Sequence, residues 1–386
     1  RDTDADAFCA GGPASVENLY INAIGTAPVD LSCVTAITGY LEIENSITSS
    51  IDLSNAATIG DELNIHNNDE LVSIDLSGLT SVGNYAQIQS NSELANVDMS
   101  SLLMIDEQLN VTSNSNLETI DFSSLEDIGT QMNFNSNAQL ESIDMPSLVE
   151  VGTQIYINSN SSMELINFPS MSEVGDEFYV ESNNALDEIS MPSLTDVNSN
   201  LSIQRNDSLS ILDASSLLSV SGQVYLYNNN DLETVDLSSL QEVGSSLNIN
   251  ENYTLSSIDL SSLEDVDGSV EFSNNDDLLV LDMPSLLDIG GSMNINGNDS
   301  LTSLSATVLS SLGSTLTLRD NEDLSTVDFS SLTCVSDFTI EGNALSDDDH
   351  YDLLVALTCS SDDSLIVFRD TDADAFCAGG PASVEN

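Results

Sequence analysis

The chain has 386 residues, 40% of them hydrophobic, which is enough for a packed core and excludes wholesale disorder. It carries 65 acidic side chains against 4 basic ones, for a formal net charge of −61, and the basic residues are all arginines: Arg1, Arg205, Arg319 and Arg369. Such a surface excludes nucleic acid and anionic membranes as partners, favours metal cations and a saline setting, and comes with no apolar run of about 18 residues that would span a bilayer.

The first eighteen residues, RDTDADAFCAGGPASVEN, recur unchanged as residues 369–386. Identity over that length does not arise by chance. The expected organisation is one unit of a tandem array followed by the start of the next, with 1–18 as junction and N-terminal cap. Within the junction, Asp2, Asp4 and Asp6, and again Asp370, Asp372 and Asp374, place carboxylates at alternate positions, as calcium loops do. The run resembles the start of an EF-hand or thrombospondin-type loop. It departs at Ala7 and Ala375, where the EF-hand has glycine, and at Pro13 and Pro381, where it has its bidentate glutamate. A looser Ca²⁺ site at the junction is the expectation, set against a solvated acidic linker.

From residue 19 the chain keeps a period. The segments from Leu71, Leu117 and Leu232 share the pattern L-x-x-I-D-L-S-S-L-x-x-V-G-x-x-L-x-I-x-x-N-x-x, 23 residues long. A stricter mark is asparagine, present at Asn45, Asn68, Asn91, Asn114, Asn137, Asn160, Asn183, Asn206, Asn229, Asn252, Asn275, Asn298 and Asn321. A fixed amide in an apolar-periodic repeat points to one recurring turn, with stacked amides bonding to each other as a buried ladder. Period-2 segments such as LNI and IDL read as short strands. The glycine near mid-repeat, as at Gly83, Gly129, Gly152 and Gly244, suits a corner with positive φ. Together these predict an all-β chain, a parallel β-solenoid of about fourteen 23-residue coils over 19–343. Coils about 4.8 Å apart make a rod roughly 65 Å long. Two inward columns are legible, one from Leu63 through Ala86 and Phe178 to Leu247, the other from Ile65 through Phe134 to Ile249.

The SIDLSSLxxVG…LxIxxN rhythm resembles the receptor L-domain family, over about Leu19 to Cys359. That resemblance implies a right-handed β-helix capped at its ends and used for recognition and surface architecture, not for catalysis. A leucine-rich-repeat horseshoe is the second reading, since L-x-I-x-x-N echoes that motif as well; the short, polar DLSSL segment argues against its convex helices.

Two outward features follow. An aspartate column runs through Asp52, Asp75, Asp98, Asp121, Asp144, Asp213, Asp236, Asp259, Asp282 and Asp328, each with a residue two positions on that is often serine and can close a local Asx-type turn. Along the LxIx strand two other outward columns, from Asn64 to Thr317 and from His66 to Arg319, hold full charge only at Glu181, Glu271 and Arg319. This neutral strip clusters Tyr156, Tyr179, Tyr225 and Tyr227, residues suited to sugar or protein contact.

At the far end, NALSDDDHYDLLVALTC breaks the strand rhythm. Ser346 as N-cap, the acidic first turn Asp347 to Asp349 and the apolar Leu353, Leu354 and Leu357 predict a capping helix at about 347–358, within a closing segment 344–368. Discounting the recurrent Cys377, four cysteines remain: Cys9, Cys33, Cys334 and Cys359. Of three pairings, the local one, Cys9–Cys33 and Cys334–Cys359, joins each end to itself and implies an oxidising, extracellular or cell-surface setting. The two histidines, His66 and His350, stand too many coils apart to share a catalytic site. The expectation is no enzyme, but an extracellular structural protein whose partners are further copies, head to tail; the alternative is an adhesin or receptor-like module using the tyrosine strip.

Overall fold

The structure, a computed structural model, describes residues 9, 11, 12, 14–22, 25–333, 335–349, 353, 357, 366 and 367. Each coil holds three short strands. In one coil these are Ser73–Asp75, Ser81–Val82 and Ala86–Gln89. Each pairs in parallel with its counterpart in the next coil, Ser73 with Asn96, Ser81 with Met104 and Ala86 with Leu109. Among the described residues the four-residue strands build a 16-stranded sheet and the two-residue strands a 14-stranded one; the third side comprises sheets of five, six and three strands. All three sides are strand, so the coil closes on itself as a parallel β-solenoid. The DLSSL segment gives a strand and a tight turn, which rules out the horseshoe's helices.

Alternation decides what goes inside. In Leu63–His66 the residues Leu63 and Ile65 are buried while Asn64 and His66 face outward. Both predicted inward columns are fully buried from end to end, Phe134 and Phe178 included. Each such side chain contributes roughly 1.5–3 kcal/mol of burial.

The polar exception is the asparagine ladder. Twelve asparagines from Asn68 to Asn321 are completely buried. Asn68 donates from its backbone N–H (3.1 Å) and its Nδ2 (2.9 Å) to Oδ1 of Asn91, which does the same to Asn114. The second Nδ2 hydrogen returns to a strand carbonyl, Ile43 for Asn68 and Ile65 for Asn91.

The thirteenth predicted rung, Asn45, is not in the ladder. The first full coils are 22 residues long, Leu41 pairing with Leu63, so Ser46 takes the ladder position and donates its N–H to Asn68 Oδ1 at 3.0 Å. Asn45 is exposed, with φ 49°. At the other end a second 22-residue step adds Asn343, whose Oδ1 accepts from Asn321.

The residue before each rung carries the positive φ, as at Asn67 (55°), Ser113 (58°), Arg205 (54°) and Glu251 (56°). The mid-repeat glycines do not, contrary to expectation. They are needed for close stacking: a Cβ on Gly152 would lie 2.1 Å from the carbonyl oxygen of Gly129 in the preceding coil.

At the ends, Cys9 and Cys33 form the expected disulfide, while Cys334, Cys359 and Cys377 lie outside the described residues. Residues 347–349 are helical, as are 353 and 357. The backbone N–H of Asp349 donates to Ser346 Oγ at 3.2 Å, and that hydroxyl donates to the Asp349 carboxylate. Leu353 and Leu357 are buried against the stack; Leu354 is not described. Beyond the helix, Ile366–Val367 pairs in parallel with Asp337–Glu341.

Asn183→Ala should destabilise the fold by roughly 2–5 kcal/mol, because the N–H and Nδ2 of Asn160 lose their shared buried acceptor and Ile157 its donor. Asn45→Ala, at an exposed corner, should cost about 1 kcal/mol or less. Urea unfolding midpoints check both; equal losses would return Asn45 to the ladder.

Candidate functional site

The outward side of the 16-stranded sheet stacks like positions over one another because its strands are in register. Tyr156 stands opposite Tyr179, Tyr179 opposite Ser202, and Ser202 opposite Tyr225. The Tyr156 and Tyr179 rings lie 5.6 Å apart, tilted by 57°; those of Tyr225 and Tyr227, two residues apart on one strand, lie 5.6 Å apart and nearly parallel at 13°. Ser202 is buried between the pairs.

The four predicted tyrosines therefore form one strip, and the structure adds residues that the sequence reading left isolated. Arg205 forms an ion pair with Glu181 and sits 5.8 Å over the Tyr227 ring. The Tyr179 hydroxyl donates to Glu181 and accepts from Gln204 Nε2 at 3.2 Å. Tyr156 donates to Glu177 at 2.9 Å, and Glu251 raises the Tyr227 phenol above its ordinary value. Arg205 projects from the positive-φ corner at the strand's end, which turns it back over the next rung. The only signal in sequence was an arginine in a column otherwise without cations.

These contacts keep the phenols protonated. Burial, then the bond to Glu177, pushes Tyr156 up to about 12; burial, then Glu181, raises Tyr179 further. The strip presents half-buried rings edged by hydroxyls, amides and one guanidinium, an arrangement able to stack on a sugar or apolar face and hydrogen-bond around it.

The aspartate column forms a different surface. Ser54 N–H donates to Asp52 Oδ1 at 2.9 Å, and the same bond recurs at Asp75, Asp98, Asp121, Asp213, Asp236, Asp259 and Asp328. Asp144 and Asp282 make no such bond because Pro146 and Pro284, two residues on, have no N–H. The column from Asp52 to Asp144 lines a trough of about 700 Å³. The junction aspartates Asp2, Asp4, Asp6, Asp370, Asp372 and Asp374 lie outside the described residues, as does His350. No described helix is long and apolar enough to cross a membrane.

In-register parallel coils, a leucine-patterned interior and an asparagine rung per turn make this chain a leucine-rich-repeat-like β-solenoid. No protein-family model matches it, and no curated protein does. Among solved structures it is similar to a leucine-rich repeat protein from Bacteroides ovatus, at 13% identity over 83% of this chain and 89% of that one, with a TM-score of 0.22. It is also similar to TLR13, seen in complex with ssRNA13, at 13% identity over 85% and 84% of the two chains, with a TM-score of 0.13.

The raised phenols make alkaline behaviour a test. With no lysine in the chain, tyrosines dominate titration above about pH 10. In the native state Tyr85 and Tyr156 hold their protons to about 12, so the stability they contribute is complete below the unfolded value and is lost as pH rises through the native one. Unfolding midpoints should fall between about pH 10 and pH 12, and less steeply in Tyr156→Phe. A flat profile would show that the strip is solvated.

Proposed function

We propose that the chain is one unit of an extracellular tandem array of β-solenoid rods, forming a filament, tether or surface layer. The observation that carries this reading is the unchanged recurrence of residues 1–18 as 369–386. Ile366–Val367 extends the long sheet immediately before that second copy begins. The opposite edge of the same sheet is Leu19–Asn22, which follows the first copy. Head-to-tail contacts of this heterologous kind do not close and so generate filaments. Copies joined this way stack along one axis, and Ca²⁺ held by Asp370, Asp372 and Asp374 would stiffen the joint. The Cys9–Cys33 disulfide is compatible with an oxidising compartment.

The tyrosine strip favours a second reading, an adhesin or receptor-like module that binds carbohydrate or protein. The Arg205–Glu181–Tyr179 network gives the strip a fixed shape at one place on an otherwise uniform rod. The two readings are compatible, since an array would repeat the strip once per unit.

A two-copy chain should scatter X-rays as a single stiff rod about twice as long as one unit, and chelation should add flexibility at its midpoint. Scattering unchanged by EDTA would remove calcium from the account. An intact mass of the natural protein equal to a single unit would overturn the array. Tyr179→Ala and Tyr225→Ala should abolish any glycan or cell-surface binding; retained binding would place the contact elsewhere.

A further inference from the structure

Away from the tyrosine strip, the first coils bring together side chains that the repeat pattern does not. The 22-residue step that displaces Asn45 also sets Glu44 opposite His66 and Glu42 opposite Asn64. One carboxylate oxygen from each of Glu42 and Glu44 and a ring nitrogen of His66 lie within 4.8 Å of one another. His66 Nε2 is 3.4 Å from Glu42 Oε1 and 4.0 Å from Glu44 Oε2. Ligands at about 2.0–2.2 Å from a tetrahedral ion are roughly 3.4 Å apart. The first separation already fits, and a small carboxylate rotation closes the second.

The surroundings hold this set in place. Tyr20 Oη and Asn22 Nδ2 both donate to Glu44 Oε1, and Asn45 Nδ2 donates to Oε2 at 3.0 Å, so Oε2, 4.0 Å from His66 Nε2, keeps a second lone pair. The Asn67 side-chain amide lies 3.0 Å from His66 Nδ1. That contact is made by Asn67 Nδ2; metal binding at Nε2 requires the amide to turn about so that its Oδ1 accepts Nδ1–H, the outer-sphere arrangement that metal-binding histidines use. As at Asn84, Asn158 and Asn296, the Oδ1 of Asn64, register partner of Glu42, is buried with no hydrogen-bond partner. A water on a bound ion would supply the missing donor.

We propose that Glu42, Glu44 and His66 form a three-ligand site for a divalent transition ion of the zinc type, with a fourth position open to water. The imidazole decides the class of ion. Ca²⁺ and Mg²⁺ take oxygen donors, whereas one nitrogen with two carboxylates suits Zn²⁺. The site is distinct from the oxygen-only calcium site expected at the junction.

The test is calorimetric titration of Zn²⁺ into the chelator-stripped full chain, in buffer with excess Ca²⁺ to occupy the general acidic surface. The expected result is one saturable Zn²⁺ site per chain, weakened more than about tenfold by His66→Ala and by Glu44→Gln, and untouched by His350→Ala. Circular dichroism melts show whether the variants fold; His66 faces outward, so they should. Titration curves that His66→Ala leaves unchanged would mean acidic side chains alone hold the metal, and would overturn the site. The absence of saturable binding in the wild type would overturn it as well.

Discussion

A single amide, repeated at the same corner of every coil, is what the rest of this fold depends on. The chain must turn there inside the core, where an unmade hydrogen bond costs about 1–3 kcal/mol. Each asparagine resolves this with one side chain. Its oxygen takes two donors from the preceding rung, and its Nδ2 serves both a strand carbonyl and the next rung. Aspartate would bury a column of like charges, and serine lacks the second donor, which is why serine occurs at the ladder's first position, Ser46, and not within it. The amides all point along the chain direction, so each bond polarises the next. The corner requires a left-handed residue before every rung, filled by Ser, Asn, Glu, Asp or Arg as well as Gly. That strain of roughly 1–2 kcal/mol per corner is offset by the ladder it allows.

In-register parallel stacking places like over like, and this both helps and harms. Asparagine over asparagine bonds; tyrosine over tyrosine packs. Aspartate over aspartate, at the coil spacing of about 4.8 Å, repels by roughly 1 kcal/mol in water. The serine N–H two residues on offsets this by binding the carboxylate locally, rung after rung. The opposite device appears on the long-strand sheet, where neutral amides replace charge almost throughout and the tyrosine strip emerges. A very acidic chain thus keeps one side suited to contact.

The coil, two of its three strands and both buried columns were legible because period 23 and period 2 coincide over a dozen repeats; the third strand, two residues long as at Ser81–Val82, is too short to show an alternation. Two of the errors share one cause. Stepping by 23 from Asn321 lands on an asparagine at 45, yet the first coils are one residue shorter, so a residue of the right type occupies the wrong corner. The same shift hid the meeting of Glu44 with His66. Glycine suggested positive φ where the backbone needed close approach instead. Arg205, Ser113 and Glu251 gave no sign of a left-handed corner, because their side chains have no preference for it; the ladder imposes it. Tyr156, Tyr179, Tyr225 and Tyr227 were found from their columns, but the Glu181–Arg205 pair that fixes them needs neighbouring coils in three dimensions.

Native-state hydrogen exchange tests the ladder most directly. The backbone N–H groups of Asn91 to Asn298 each donate to a buried amide oxygen. They should be among the slowest to exchange in the chain, opening only with the stack itself. If they exchange as fast as the exposed N–H groups of the outer turns, the coils are held by apolar burial alone and the ladder is incidental.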